Sequence, residues 1–201
     1  MRQRSLLLWV LVLLSSIIGS VPGSLAAADD PANFVNDLGT RALAAMRNEN
    51  TAAVQGQFRQ LFRRYFDAEA CARSALGPYW QNATAQQRQE YANRYEDYIV
   101  IVYSTLLGRV GGKSFTLLGS RPSEKGVIVT SRIDGIVSVG VDWLLNPTNN
   151  GYKLTNLLVG GIDMASLQRS DLVSVVQRNN GQVQALLVAL REKNASNGIL
   201  R

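Results

Sequence analysis

Apolar residues recur along this chain in two different periods, and the change between them divides it. From residue 32 to about 109 they return every three or four positions, the spacing of a helix face. Asp30-Pro31 pairs an N-cap with proline at the first helical position, which predicts a helix over residues 32–47 with Phe34, Leu38, Leu43 and Met46 close to one stripe. Residues 48–50 interrupt it. Thr51 caps a second helix carrying Val54, Phe58, Leu61, Phe62 and Tyr65 at helical spacing. A short helix restarts at Phe66-Asp67, runs through Ala75 and is ended by Gly77-Pro78. Thr84 and Gln87 form a capping box that opens the longest helix, over 85–109, with Tyr91, Tyr95, Tyr98, Val102 and Leu106 near one face.

After Gly111-Gly112 the period falls to two. Residues 114–120 predict a first strand. Val127, Val129 and Ile133 alternate with Ile128, Thr130 and Arg132 in a second, and Asp134-Gly135 marks a turn. Val137, Val139, Val141, Trp143 and Leu145 share one face of a third. The loop 146–151 leads to a fourth strand over 152–159, and Gly160-Gly161 ends the sheet. Two helices follow, over 164–178 and 182–193, split by Asn179-Asn180-Gly181. Short links between successive strands imply an antiparallel meander. The predicted fold class is α+β: a four-stranded antiparallel twisted sheet packed with N-terminal and C-terminal helices.

The first 28 residues follow another logic. Arg2 and Arg4 precede an apolar run over 6–18, and Ala26-Ala27-Ala28 precede Asp29-Asp30. This is the pattern of a secretory signal peptide cleaved near Ala28. The apolar run is short for a spanning helix, which takes about 20 residues. The expected organisation is a signal peptide over 1–28, one domain over 29–194 and a flexible tail over 195–201.

Composition narrows the chemistry. The chain has 201 residues, no His and one Cys. A Ser-His-Asp triad, a Cys-His pair and a His-ligated metal are therefore excluded, and one thiol closes no intrachain disulfide. The net charge of +6 includes Arg2 and Arg4, and no dense basic cluster points to nucleic acid. Cys71, between Ala70 and Ala72, reads as a small packed residue. Asp142, beside Trp143 on the polar strand face, reads as a surface or salt-bridged carboxylate, with a general base in an isomerase-like pocket as the rarer alternative. The aromatic and aliphatic stripes suit either a filled core or a cavity for an apolar ligand, because both use the same residues.

Four blocks resemble, in order and spacing, the MlaC family of periplasmic phospholipid carriers, also called toluene-tolerance auxiliary proteins. They are Phe66-Asp67 with Ala75-Leu76-Gly77-Pro78-Tyr79-Trp80, Thr84, Gln87 and Arg88; the Tyr/Leu-rich long helix with Tyr98, Tyr103 and Leu107; Val127-Ile128-Val129-Thr130-Ser131, Val141-Asp142-Trp143 and Tyr152-Lys153-Leu154; and Gly161-Ile162, Met164 and Gln168-Arg169-Ser170-Asp171. The likeness covers roughly residues 66–191. It departs at the end of the fourth strand, where the family usually reads Asp-Val-x-Val-Glu-Gly-Val-Ser-Met. Here Asn156 replaces the aspartate, Gly160 the glutamate and Asp163 the serine, and Leu172 stands at a frequent aromatic.

The resemblance implies a non-enzymatic carrier with no cofactor and an apolar cavity for a phospholipid. It would exchange lipid with an outer-membrane lipoprotein–porin complex and with an inner-membrane ABC transporter and its periplasmic lipid-binding subunit, maintaining outer-membrane lipid asymmetry. Acyl chains are expected between the long helix and the inner sheet face, against Phe62, Tyr79, Trp80, Tyr95, Tyr98, Ile99, Val129, Val139, Val141 and Leu157. A carrier of another lipid such as a hopanoid, a small exported isomerase-like enzyme and a protein-binding adaptor with a filled core are the alternatives.

Overall fold

The computed structural model describes residues 30–48, 50–110 and 112–196; the segment read as a signal peptide lies outside them. Helices come first: α1 (Pro31–Met46), α2 (Thr51–Tyr65), α3 (Ala68–Leu76), α4 (Tyr79–Asn82) and α5 (Ala85–Val110). The sheet follows as β1 (Ser114–Ser123), β2 (Gly126–Asp134), β3 (Val139–Thr148), β4 (Gly151–Val159) and β5 (Ile162–Asp163), and α6 (Met164–Arg178) and α7 (Val183–Ser196) close the chain. No helix among the described residues is long and apolar enough to cross a membrane.

The caps predicted at Asp30 and Thr84 are present, and the one predicted at Thr51 falls one residue earlier. Asp30 accepts a hydrogen bond from the Ala32 amide at 3.0 Å, with Pro31 at the first helical position. Asn50, not Thr51, caps α2 by accepting from Ala53 N. Thr84 and Gln87 exchange reciprocal bonds at 3.0 and 3.1 Å.

The sheet is an antiparallel meander in the order β1-β2-β3-β4-β5. Three features depart from the pattern read in the sequence. A two-residue β5 extends the sheet beyond Gly160-Gly161, whose φ angles of 59° and 81° let a tight turn pair Val159 with Ile162. The third strand begins at Val139. Val137 is 65% exposed, because Asp134 accepts from Ser138 Oγ at 2.7 Å and turns the intervening loop out of the ladder. Finally, α7 continues two residues past Asn194, whose buried side chain donates to the Arg94 carbonyl. The four-residue α4 after Gly77-Pro78 is too short to show a period.

Two bulges set which strand residues face inward. Ladder pairing steps from Leu144–Asn156 to Leu145–Leu154, leaving Thr155 as the extra residue. This lets both Leu154 and Leu157 point into the core. In β1 the step from Leu117 to Gly119 leaves Leu118 exposed.

Buried apolar residues form two cores. One joins the inner sheet face (Val129, Val141, Trp143, Leu145) to α1 and the near face of α2. Close approach of α1 to β1 needs Gly39, where a Cβ would lie 2.6 Å from the Phe115 ring. The other core is helical: α3, α5, α6 and α7 around Tyr91, Tyr95, Ile99, Leu187 and Val176. The long helix α5 packs on α7, α2 and α3, and the sheet is tied to the helices through α1, α3 and α6.

Candidate ligand-binding site

The seam between the two cores is where packing is incomplete. Leu38 and Ala42 of α1, Phe58, Leu61 and Phe62 of α2 with its C-cap residue Phe66, Ile99, Val100 and Tyr103 of α5, and Trp143 of β3 enclose an apolar crevice of about 50 Å³. Phe66 and Tyr103 pack against both cores, with ring centroids 6.3 Å apart. The indole of Trp143 is fixed in the inner face by donating to Ser131 Oγ at 2.8 Å, so its one polar atom is satisfied and its ring is free to serve as wall.

At one end the crevice passes into a second void of about 10 Å³ that shares Phe62, Phe66, Ile99 and Tyr103 with it and adds Cys71, Tyr95, Asn156 and Gln168. Here the polar groups satisfy one another. Tyr95 donates to Gln168 Oε1 at 2.6 Å, and Gln168 Nε2 donates to Tyr103 Oη at 3.0 Å. Burial pushes both phenols up, so they stay neutral. Burial also pushes the Cys71 thiol up to about 12, and its Sγ lies 3.5 Å from the Thr155 carbonyl. It is a packed residue with no thiolate character.

The ten residues expected to line a cavity divide between the cores. Phe62 and Ile99 line the crevice and Tyr95 its polar end. Val129, Val141 and Leu157 are buried in the sheet-side core and Val139 is half-buried beside it. Tyr98 belongs to the helical core, with Lys193 Nζ 4.9 Å from its ring centroid. Tyr79 and Trp80 lie on α4 at the edge of that core, and Arg73 and Arg88 sit over the indole. Sequence reasoning passed over Leu38, Ala42, Phe58, Leu61, Phe66, Val100, Tyr103 and Trp143. Phe58 and Leu61 share the helical stripe of Phe62, which was the available signal.

The α2 and α5 walls are pinned beside the crevice. Arg59 donates to Glu96 Oε1 at 2.8 Å and to the fully buried Asp97 at 2.7 Å, and Arg63 adds bonds to Glu96. Burial alone would raise the Glu96 carboxyl, but the bonds from Arg63 and Arg59 outweigh it and hold the group below the usual carboxylate range.

Two of the sequence departures meet at the start of α6. Asn156 Oδ1 accepts from Ala165 N at 3.1 Å, and Asp163 Oδ1 accepts from Ser166 N at 2.8 Å. Both side chains therefore cap α6. Both oxygens accept amides of the first turn of α6, and the charged one, Asp163, stands at the N-cap, where a helix end favours negative charge. Leu172 is buried in the helical core. Asp142 accepts from Thr130 Oγ1 at 2.6 Å and lies 3.5 Å from Arg121, as a strand-surface carboxylate does. Among the described residues no group of three or more His, Cys, Asp or Glu side chains is placed to hold a metal ion.

Comparison with known proteins gives a concordant picture. The family model described as MlaC protein matches residues 36–192. A solved structure of a phospholipid-binding protein from Ralstonia solanacearum, in complex with a phospholipid, superposes with a TM-score of 0.73 at 21% identity, covering 84% of this chain and 98% of that one. The likeness to that structure is one of fold. No curated protein matches the chain by sequence.

Proposed function

The chain belongs to the MlaC family, and on that premise we propose that it is a periplasmic phospholipid carrier. It takes acyl chains into the seam between its two cores and passes the lipid between an outer-membrane lipoprotein–porin complex and an inner-membrane ABC transporter. It catalyses no reaction and uses no cofactor. The domain over 29–194 is the working unit, after removal of the signal peptide over 1–28.

The observation that carries this reading is the crevice itself, walled by apolar side chains from three helices and one strand. Burial of a methylene is worth about 0.8 kcal/mol, so two ordinary acyl chains hold a lipid in a bilayer by roughly 20 kcal/mol. Transfer through water is slow unless a carrier offers a comparably dry environment. Ligand pockets commonly measure about 300–1,000 Å³, far more than the crevice of about 50 Å³. Loading therefore requires the sheet-side and helical cores to part along the seam.

The test is native mass spectrometry of the protein purified from a bacterial periplasm without added lipid, followed by organic extraction. A co-purifying phospholipid at one per chain is the expected result. Lipid-free protein that also takes up nothing from vesicles would end the carrier reading, and a polycyclic terpenoid mass would redirect it to another lipid class.

A further inference from the structure

One turn along from the crevice, on the same faces of α1 and α2, lies a much larger cleft of about 780 Å³. Phe34 stands four residues before Leu38, and Tyr65 four residues after Leu61, so the walls of cleft and crevice are continuous. Between them the Phe34 and Tyr65 rings meet edge to face at 5.3 Å, and the Tyr65 hydroxyl is anchored by Asp37. The cleft differs from the other end of the seam. There the amide of Gln168 and the phenols of Tyr95 and Tyr103 bond one another. Here two cations line the cleft, Arg64 and Lys153, with the Arg64 guanidinium carbon 5.4 Å from the Tyr65 ring centroid. Arg64 is exposed, and neither it nor Lys153 has a carboxylate within ion-pair distance among the described residues; the Lys153 ammonium donates to the Arg64 carbonyl at 2.6 Å. The same cleft is lined by the carboxylates Asp37 and Asp30 and by the rings of Phe34 and Tyr152. Asp37 already accepts from Tyr65 and Arg41, but a carboxylate has about four acceptor sites and retains capacity.

We propose that this cleft receives the headgroup of a zwitterionic phospholipid, its phosphate on Arg64 and Lys153 and its ammonium between Asp37 and the rings of Phe34 and Tyr152. The assignment rests on the carrier reading and adds a selectivity that reading does not contain. A phosphate needs charge-assisted donors once it leaves bulk water, and an ammonium is attracted by a carboxylate and by aromatic faces together. A headgroup bearing only negative charge would satisfy the cations and leave Asp37 repelled. Tyr65, pinned by Asp37, then separates the wet headgroup cleft from the dry seam.

The experiment loads the full chain from vesicles of equimolar dioleoyl phosphatidylethanolamine and dioleoyl phosphatidylglycerol, identical in acyl chains, and measures bound lipid by mass spectrometry. The ethanolamine lipid should exceed the glycerol lipid by at least about fivefold. Arg64→Glu with Lys153→Glu should abolish that preference and cut total uptake about tenfold. If that pair fails to fold, Arg64→Gln, at an exposed position, should still reduce the preference. Equal uptake of both lipids by the unmodified protein overturns the headgroup assignment and leaves the carrier intact. A preference unchanged in folded variants overturns it too, by placing the headgroup elsewhere. No uptake of either lipid overturns the carrier reading itself. Free glycerophosphoethanolamine, the same chemistry without chains, should be lost on gel filtration; its retention at one per chain would make the cleft a site for a soluble solute and overturn the lipid assignment.

Discussion

The Tyr95 hydroxyl donates to Gln168 Oε1 at 2.6 Å across the buried contact between α5 and α6, and the same amide donates back to Tyr103, two turns further along α5. Gln168 is 4% exposed. One amide thus satisfies two phenols at the closed end of the seam. Gln168→Leu is isosteric enough to fit but leaves both phenols buried without their partner. At about 1–3 kcal/mol for each buried group left unpaired, it should lower unfolding free energy by about 2–5 kcal/mol, read by urea denaturation. A loss under ~0.5 kcal/mol would mean the network contributes nothing net.

Arg59 supplies the cation for Asp97, a carboxylate with no exposed surface. Arg59→Met keeps the aliphatic bulk and removes the charge. Breaking a buried pair in this way costs about 3–5 kcal/mol. The double variant with Asp97→Asn should recover a large share of that, and a double-mutant cycle measures how much.

The depressed Glu96 carboxyl makes a pH prediction. Its folded pKa lies below the ordinary value of 4.5, so its contribution is complete above that value and is lost as the pH falls through the folded pKa. The urea midpoint should be level from about pH 8 to 6 and fall below about pH 4.5. Glu96→Gln should be less stable at neutral pH and show a shallower fall in acid. An equally steep acid transition in that variant would assign the sensitivity to other carboxylates, with Asp37 next, since the Tyr65 hydrogen bond also lowers its pKa.

Ala42 offers a direct test of the seam. Its methyl group lines the crevice and is 8% exposed. Ala42→Phe should fill the space at an overpacking cost of about 1–3 kcal/mol, while reducing lipid uptake from vesicles at least tenfold as chains lose their entry. Full lipid occupancy in the folded variant would place the chains elsewhere.

Much of this molecule was decided by local sequence. The 3.6-residue period of Val54, Phe58, Leu61, Phe62 and Tyr65 made α2 a helix with one apolar face, and the alternation through Val141, Trp143 and Leu145 made β3 a strand with one buried face. Caps such as Asp30 and Thr84 act within a few residues and are visible for that reason. The changes at Asn156 and Asp163 were visible as departures, but their shared capping role was not, because it depends on both side chains meeting the first turn of α6. The partner of each apolar face was decided only in three dimensions. Val129 on its strand and Ile99 on its helix both lie in apolar stretches of sequence, yet one is sealed in the sheet-side core and the other borders the seam. A periodic stripe records that a face avoids water and carries no information about which other face covers it, nor where two such coverings fail to meet. That failure, between the cores at Phe66 and Tyr103, leaves the crevice in which we place the acyl chains.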